Sequence, residues 1–258
     1  ATPVLQNFLK STSHIGIWDD HDYGPNNEGI SYHLKEDARE VFKAYFPNPS
    51  FGNYGKGIYT KVSYFDVDLF LMDNRTWRSS DNMNPYVGGK PNPEKRMFGT
   101  EQMNWLKNSL LNSTNTFKII VNGSQSLNKT SGGDCWANYP VELEELLDFL
   151  ELYKISGVLF LSGDKHISEI VKLDRPNNYP LYDITTSSLT AGISKVRGQE
   201  INNPLRVKNL ILEEHNYGRF SISGPSKERM IKIEFVDMHG KSRKEFVIKE
   251  NELSYNLK

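Results

Sequence analysis

Gly157-Val158-Leu159-Phe160-Leu161-Ser162-Gly163-Asp164-Lys165-His166 is the stretch that decides how this chain folds. Its apolar, branched and aromatic half reads as a buried strand, and its polar, glycine-containing half reads as the turn that leaves it. The pattern recurs. Residues 67–72 are almost wholly apolar until Asp73-Asn74-Arg75, residues 117–121 stop at Asn122-Gly123-Ser124-Gln125, and residues 181–186 end in Thr185-Thr186-Ser187-Ser188. Helices are expected between these strands, over 100–111 and over 141–153, the second carrying Leu143, Leu146, Leu147 and Leu150 as its apolar stripe. Upstream, the spacing predicts a short helix around Leu5, Phe8 and Leu9, a strand over 14–18, a helix over 34–45 and a strand over 58–64. Downstream, residues 229–249 alternate like a hairpin turning at Met238-His239-Gly240-Lys241. Helix-separated buried strands followed by hairpins predict an α/β sandwich, its sheets flanked by helices. In such folds ligands gather at the carboxyl ends of strands, where every polar cluster named above falls.

Composition narrows the partners. The 31 basic and 32 acidic residues leave a net charge of -1, so nothing draws a nucleic acid or an anionic membrane, and an anionic substrate must be attracted by a local site. A chain of 258 residues can bury one large core, and residues 1–258 are expected to form a single domain. Cys135 is the only cysteine, which rules out an intrachain disulfide. The most apolar segments fall far short of the roughly 20 residues a spanning helix requires. The first residues, Ala1-Thr2-Pro3-Val4-Leu5, show neither an initiator Met nor a signal pattern, so a preceding stretch is expected to have been removed.

The densest chemistry lies in Gly16-Ile17-Trp18-Asp19-Asp20-His21-Asp22-Tyr23. Isolated ionised carboxylates are costly to bury, so this run needs either solvent or a cation. An acidic loop tip would account for it taken alone, just as a glycine turn with a surface His would account for Ser162 to His166. Together they say more, because carboxylate and imidazole ligands suit hard to borderline metal ions and Ca²⁺, and Asp164 and His166 at i, i+2 can aim at one centre. Asp73-Asn74-Arg75 with Arg78 reads either as a helix start with surface arginines or as anion capture, since guanidinium forks match phosphate oxygens. Asn122 and Gln125 are turn residues or amide ligands, and Cys135 reads as structural.

Four segments in order, Ile17-Trp18-Asp19-Asp20-His21-Asp22-Tyr23-Gly24-Pro25-Asn26, Phe70-Leu71-Met72-Asp73-Asn74-Arg75-Thr76-Trp77-Arg78, Leu161-Ser162-Gly163-Asp164-Lys165-His166 and Thr186-Ser187-Ser188-Leu189-Thr190-Ala191-Gly192, closely resemble the PhoD-like alkaline phosphatases of the calcineurin-like metallophosphoesterase superfamily. The resemblance implies a metallophosphoesterase-like sandwich of two mixed β-sheets flanked by helices. It also implies a dinuclear centre of two metal ions, iron and calcium, that hydrolyses small or polymeric phosphate mono- or diesters. By the same resemblance Asp20, Asp164 and His166 are metal ligands, with Asp164 standing where the superfamily has a histidine. His21 contacts the substrate phosphate or the leaving group, and Arg75 is the phosphate clamp. The family's opening Gly-Asp-x-x-Tyr-type segment is expected ahead of residue 1, making this chain the C-terminal part of its domain. Export to a periplasmic or extracellular location is implied as well. Two rivals remain: a non-catalytic binding or surface protein on the same scaffold, and a serine hydrolase using Ser187 or Ser162 with His166, which has no Gly-x-Ser-x-Gly elbow.

Overall fold

The computed structural model describes residues 3–53, 55–132 and 134–255. In chain order come α1 (Pro3–Ser11), α2 (Asp20–Tyr23), α3 (Lys35–Tyr45), β1 (Thr60–Tyr64), β2 (Val67–Leu71), the two-residue strands β3 (Tyr86–Val87) and β4 (Lys90–Pro91), and α4 (Gly99–Leu111). They are followed by β5 (Phe117–Asn122), α5 (Pro140–Leu152), β6 (Val158–Ser162), β7 (Ser168–Leu173), β8 (Leu181–Thr185), β9 (Arg206–Leu212), β10 (Asn216–Ser223), β11 (Met230–Asp237) and β12 (Ser242–Lys249). Seven strands form one sheet in the order β1-β2-β5-β6-β8-β7-β9. Its centre, β2-β5-β6-β8, is parallel, whereas β1 and β7 each run against their inner neighbour. The second sheet, β10-β11-β12, is antiparallel throughout rather than mixed.

The parallel centre follows from its side chains. Strands β5, β6 and β8 are buried nearly along their whole length, as parallel strands covered on both faces must be. On one face Phe160 meets Trp136, with ring centroids 5.9 Å apart, just ahead of α5. On the other, Tyr182 meets Phe246 of β12 at 5.6 Å. Both sheets and both long helices therefore share one apolar core, in which Leu106, Leu146, Ile184 and Phe235 are all buried. A smaller core of Trp18, Tyr23, Phe42 and Ile58 holds the N-terminal residues against the end of the large sheet.

Two expected elements differ. Residues 14–18 form no strand; Gly16 instead donates its N–H to Asn48 Oδ1 at 3.0 Å and accepts from Asn48 Nδ2 at 2.8 Å, so one side-chain amide replaces a strand partner. The acidic run after it is not an open loop but the single-turn helix α2. Helix α4 starts at Gly99 with no side-chain cap at its own N-terminus. The carboxylate of Glu142, fully buried on α5, accepts from the N–H groups of Met97, Phe98 and Gly99 at 2.6, 3.0 and 2.8 Å. An anion at a helix start satisfies donors that have no partner within the helix.

Candidate metal centre

The site is built where β2, β5 and β6 end. As the chain leaves β2 it is knotted by Asp73, whose Oδ1 accepts from the Trp18 indole at 2.8 Å and whose Oδ2 accepts from the Ile58 N–H at 3.0 Å. The Arg75 and Thr76 N–H groups close a tight turn onto the same carboxylate. This turn brings Asn74 and Arg75 against Asp19. Asn74 Nδ2 donates to Asp19 Oδ1 at 2.8 Å, and Arg75 donates to the same oxygen from Nε at 2.8 Å and from Nη2. Close approach is possible because the residue after β5 is Gly123: a Cβ there would lie 2.8 Å from Asp19 Cγ and 2.9 Å from Asn74 Nδ2.

Three carboxylates converge. Asp19, Asp134 and Asp164 each offer an oxygen, and these oxygens lie within 4.8 Å of one another. Asp164 stands in the turn after β6 with φ of 64°, a left-handed conformation that a residue with a short polar side chain adopts most readily. Asp134 comes from the loop between β5 and α5, where Arg75 and Arg78, both fully buried, each donate to it at 2.6 Å. Trp18, Asp19, Asp22, Gly123, Gly163 and Asp164 line an open cleft of about 340 Å³.

The electrostatics are those of an unbalanced acid cluster. Burial, reinforced by Asp134, Asp19 and Asp20, pushes Asp164 up to about 8. Burial also lifts Asp19 to about 6, with Arg75 opposing the rise and Asp134 adding to it. Burial acts the same way on Asp134, but there Arg78 and Arg75 win and hold it below the usual carboxylate range. One member of the trio thus keeps a proton at neutral pH unless another positive charge replaces it. Two more acceptors stand at the same strand ends: Asn74 Oδ1 and Asn122 Oδ1 are buried without a donor among the described residues. Oxygen donors in excess of their protons fit a hard cation.

The residues expected to carry the chemistry are placed unevenly. Asp164 is in the trio. Asp20 is not; it folds onto its own turn, accepting from the His21 N–H at 2.7 Å and the Asn27 N–H at 3.2 Å, while its predecessor Asp19 points at the centre. His166, with φ of 54°, donates its backbone N–H to Ser187 Oγ at 3.2 Å and contributes no ligand atom to the trio. His21 is exposed on α2. Arg75 is buried with its donors on Asp19 and Asp134, which makes it a holder of carboxylates. Ser162 spends its hydroxyl on Asp183 at 2.8 Å and pairs otherwise with Thr185 Oγ1 at 3.0 Å. Asp134 went unread in the sequence; its signal was an acid after a glycine pair in a loop leaving a strand end.

The profile of the PhoD-like phosphatases matches residues 1–220. The chain belongs to the PhoD-like phosphatase family. It is 27% identical over 187 residues to alkaline phosphatase D of Bacillus subtilis (strain 168), an alignment covering 60% of this chain and 31% of that protein. A solved structure described as the structure of PhoD superposes with a TM-score of 0.72 at 20% identity, covering 92% of this chain and 53% of that one. The fold is therefore that of PhoD, and the chain spans from about a third to about half the length of these relatives. Among the described residues, no helix of this family member is long and apolar enough to cross a membrane.

Proposed function

We propose that this PhoD-like chain is the part of a metal-dependent phosphoric ester hydrolase that carries Asp19, Asp134 and Asp164 as ligands. The convergence of these three acids on one point beside two buried arginines carries the reading. A cation held there supplies charge neutralisation and activation of water. The chain's own residues prepare for it. Arg75 and Arg78 keep Asp134 ionised, and Arg75 with Asn74 fixes the direction of the Asp19 carboxylate. In this proposal His21, exposed on α2, gives a proton to the departing alkoxide, the role the family resemblance implies for it. In this reading Arg75 serves the ligands rather than the phosphate. We extend the proposal to a dinuclear centre of iron and calcium, as the family resemblance implies; calcium suits the all-oxygen trio. Export of the protein belongs to the same reading.

The experiment is elemental analysis of the purified protein with hydrolysis assays on p-nitrophenyl phosphate and bis-p-nitrophenyl phosphate. Stoichiometric metal and turnover of either ester support the proposal. Absence of both, with the fold intact by circular dichroism, supports the non-catalytic scaffold instead.

A further inference from the structure

Asp134 sits on a loop, and loops do not hold a ligand to within a fraction of an ångström unaided. A line of fully or almost fully buried amides runs from that loop to a carboxylate on β7. Glu169, 1% exposed, accepts from Arg206 Nε at 2.6 Å on one oxygen and from Gln125 Nε2 at 2.8 Å on the other. Gln125 Oε1 accepts from Asn128 Nδ2 at 2.9 Å. Asn128 Oδ1 then accepts from the Thr130 N–H at 3.0 Å, from Thr130 Oγ1 at 2.7 Å and from Asn203 Nδ2 at 3.1 Å. The loop is closed behind Asp134 by the Asn128 carbonyl, which accepts from Cys135 Sγ at 3.3 Å, and by the Gln125 carbonyl, which accepts from the Trp136 N–H at 2.8 Å.

We propose that Glu169 is a positioning residue that sets the direction of this amide line and so places Asp134 within ligand distance of Asp19 and Asp164; the proposal rests on the reading of that trio as a cation site. The reason is directional. A carboxylate accepts on both oxygens, whereas a primary amide accepts at one end and donates at the other. With Arg206 on one side, Glu169 obliges Gln125 to turn its NH₂ inward and its oxygen toward Asn128. Asn128 must then turn its NH₂ to Gln125 and its oxygen toward Thr130 and Asn203. One buried acid thus fixes two amides, and the second is the hub of the loop. Partners outside the ligand shell commonly matter this much because they orient the ligands themselves.

Glu169→Gln breaks the direction without changing the shape. The new amide can accept from Arg206 or from Gln125, not from both, so a donor faces a donor at one end of the line. The double variant Gln125→Glu, Glu169→Gln repairs it. The carboxylate brought to position 125 would accept from the amide brought to position 169 and from Asn128, while that amide would accept from Arg206. The Thr185 hydroxyl, 2.8 Å from the present Gln125 Nε2, can donate to the new carboxylate by turning its proton away from Ser162 Oγ, 3.0 Å off, an exchange of one acceptor for a charged one. A role limited to stability would leave the Mn²⁺ affinity of the folded single variant unchanged, whereas a positioning role lowers it and the pair restores it.

Two readouts test this. Amide hydrogen exchange of peptides spanning 126–136 is followed in metal-free protein, and Mn²⁺ affinity is measured by calorimetry. Glu169→Gln is expected to speed exchange in that segment and to weaken Mn²⁺ binding by about 10–100-fold. The double variant is expected to restore both. Wild-type exchange and affinity in Glu169→Gln, or a double variant as impaired as the single one, overturns the proposal. If Glu169→Gln does not fold, a folded double variant with native exchange supports it and an unfolded one overturns it. If the wild-type protein binds no Mn²⁺, the cation reading fails while the exchange data still decide the amide line.

Discussion

Asp134 takes a hydrogen bond from each of two guanidinium groups that are themselves fully buried, so its loss has two consequences. Asp134→Ala removes a proposed ligand and strips Arg75 and Arg78 of a partner. Mn²⁺ affinity, measured by calorimetry, is expected to fall by more than the roughly 10–100-fold that outer partners are worth. Stability to urea should fall by about 3–5 kcal/mol, as when one half of a buried ion pair is removed. Asp68 behaves differently because it lies at the opposite ends of the strands. Burial raises it, but hydrogen bonds from Lys61, Ser113 and Ser63 outweigh burial and hold it below its ordinary value of 3.8. A depressed carboxylate contributes stability that is present above that ordinary value and lost as the pH falls through the folded one. Asp68→Asn is therefore expected to be less stable than wild type at pH 7, with the gap closing as urea midpoints are followed from the ordinary carboxylate value of 3.8 downward.

Helix α4 shows how one element leans on another. Glu142 spends both oxygens on three N–H groups at its start, a task no side chain at the N-terminus of α4 performs. Glu142→Ala is expected to cost about 3–5 kcal/mol in urea unfolding, because buried donors are left unpaired; Glu142→Gln, keeping one acceptor oxygen, should cost less. The main strands and helices were legible because their periodicity is local. Strand β7 was not read, because Ser168 and Glu169 interrupt its apolar pattern; Glu169 is buried where Arg206 and Gln125 reach it from far along the chain. The segment over 14–18 looked like a strand for the converse reason: its residue types suit one, and nothing local reveals that Asn48 would take the place of a neighbouring strand.

At the scale of the molecule the two sheets are not separable units. Phe235 of β11 is buried in the core that also holds Phe160, Leu106 and Leu146. Phe235→Ala should lower stability by about 3–5 kcal/mol and leave a single unfolding transition, monitored by far-UV and near-UV circular dichroism together. A separate early transition for β10-β11-β12 would contradict the shared core. The sequence by itself determined the alternation of buried strands and helices, the polar clusters at strand ends and the family they resemble, because each is written in neighbouring residues. Only the tertiary structure decided which acids meet. Asp19 rather than Asp20 turns to the centre because α2 winds a single turn there, Gly123 leaves room and Arg75 pulls on it. Asp134 joins from a loop far along the chain from Asp19, since charge acts through space and two buried arginines favour whichever carboxylate the fold carries to them.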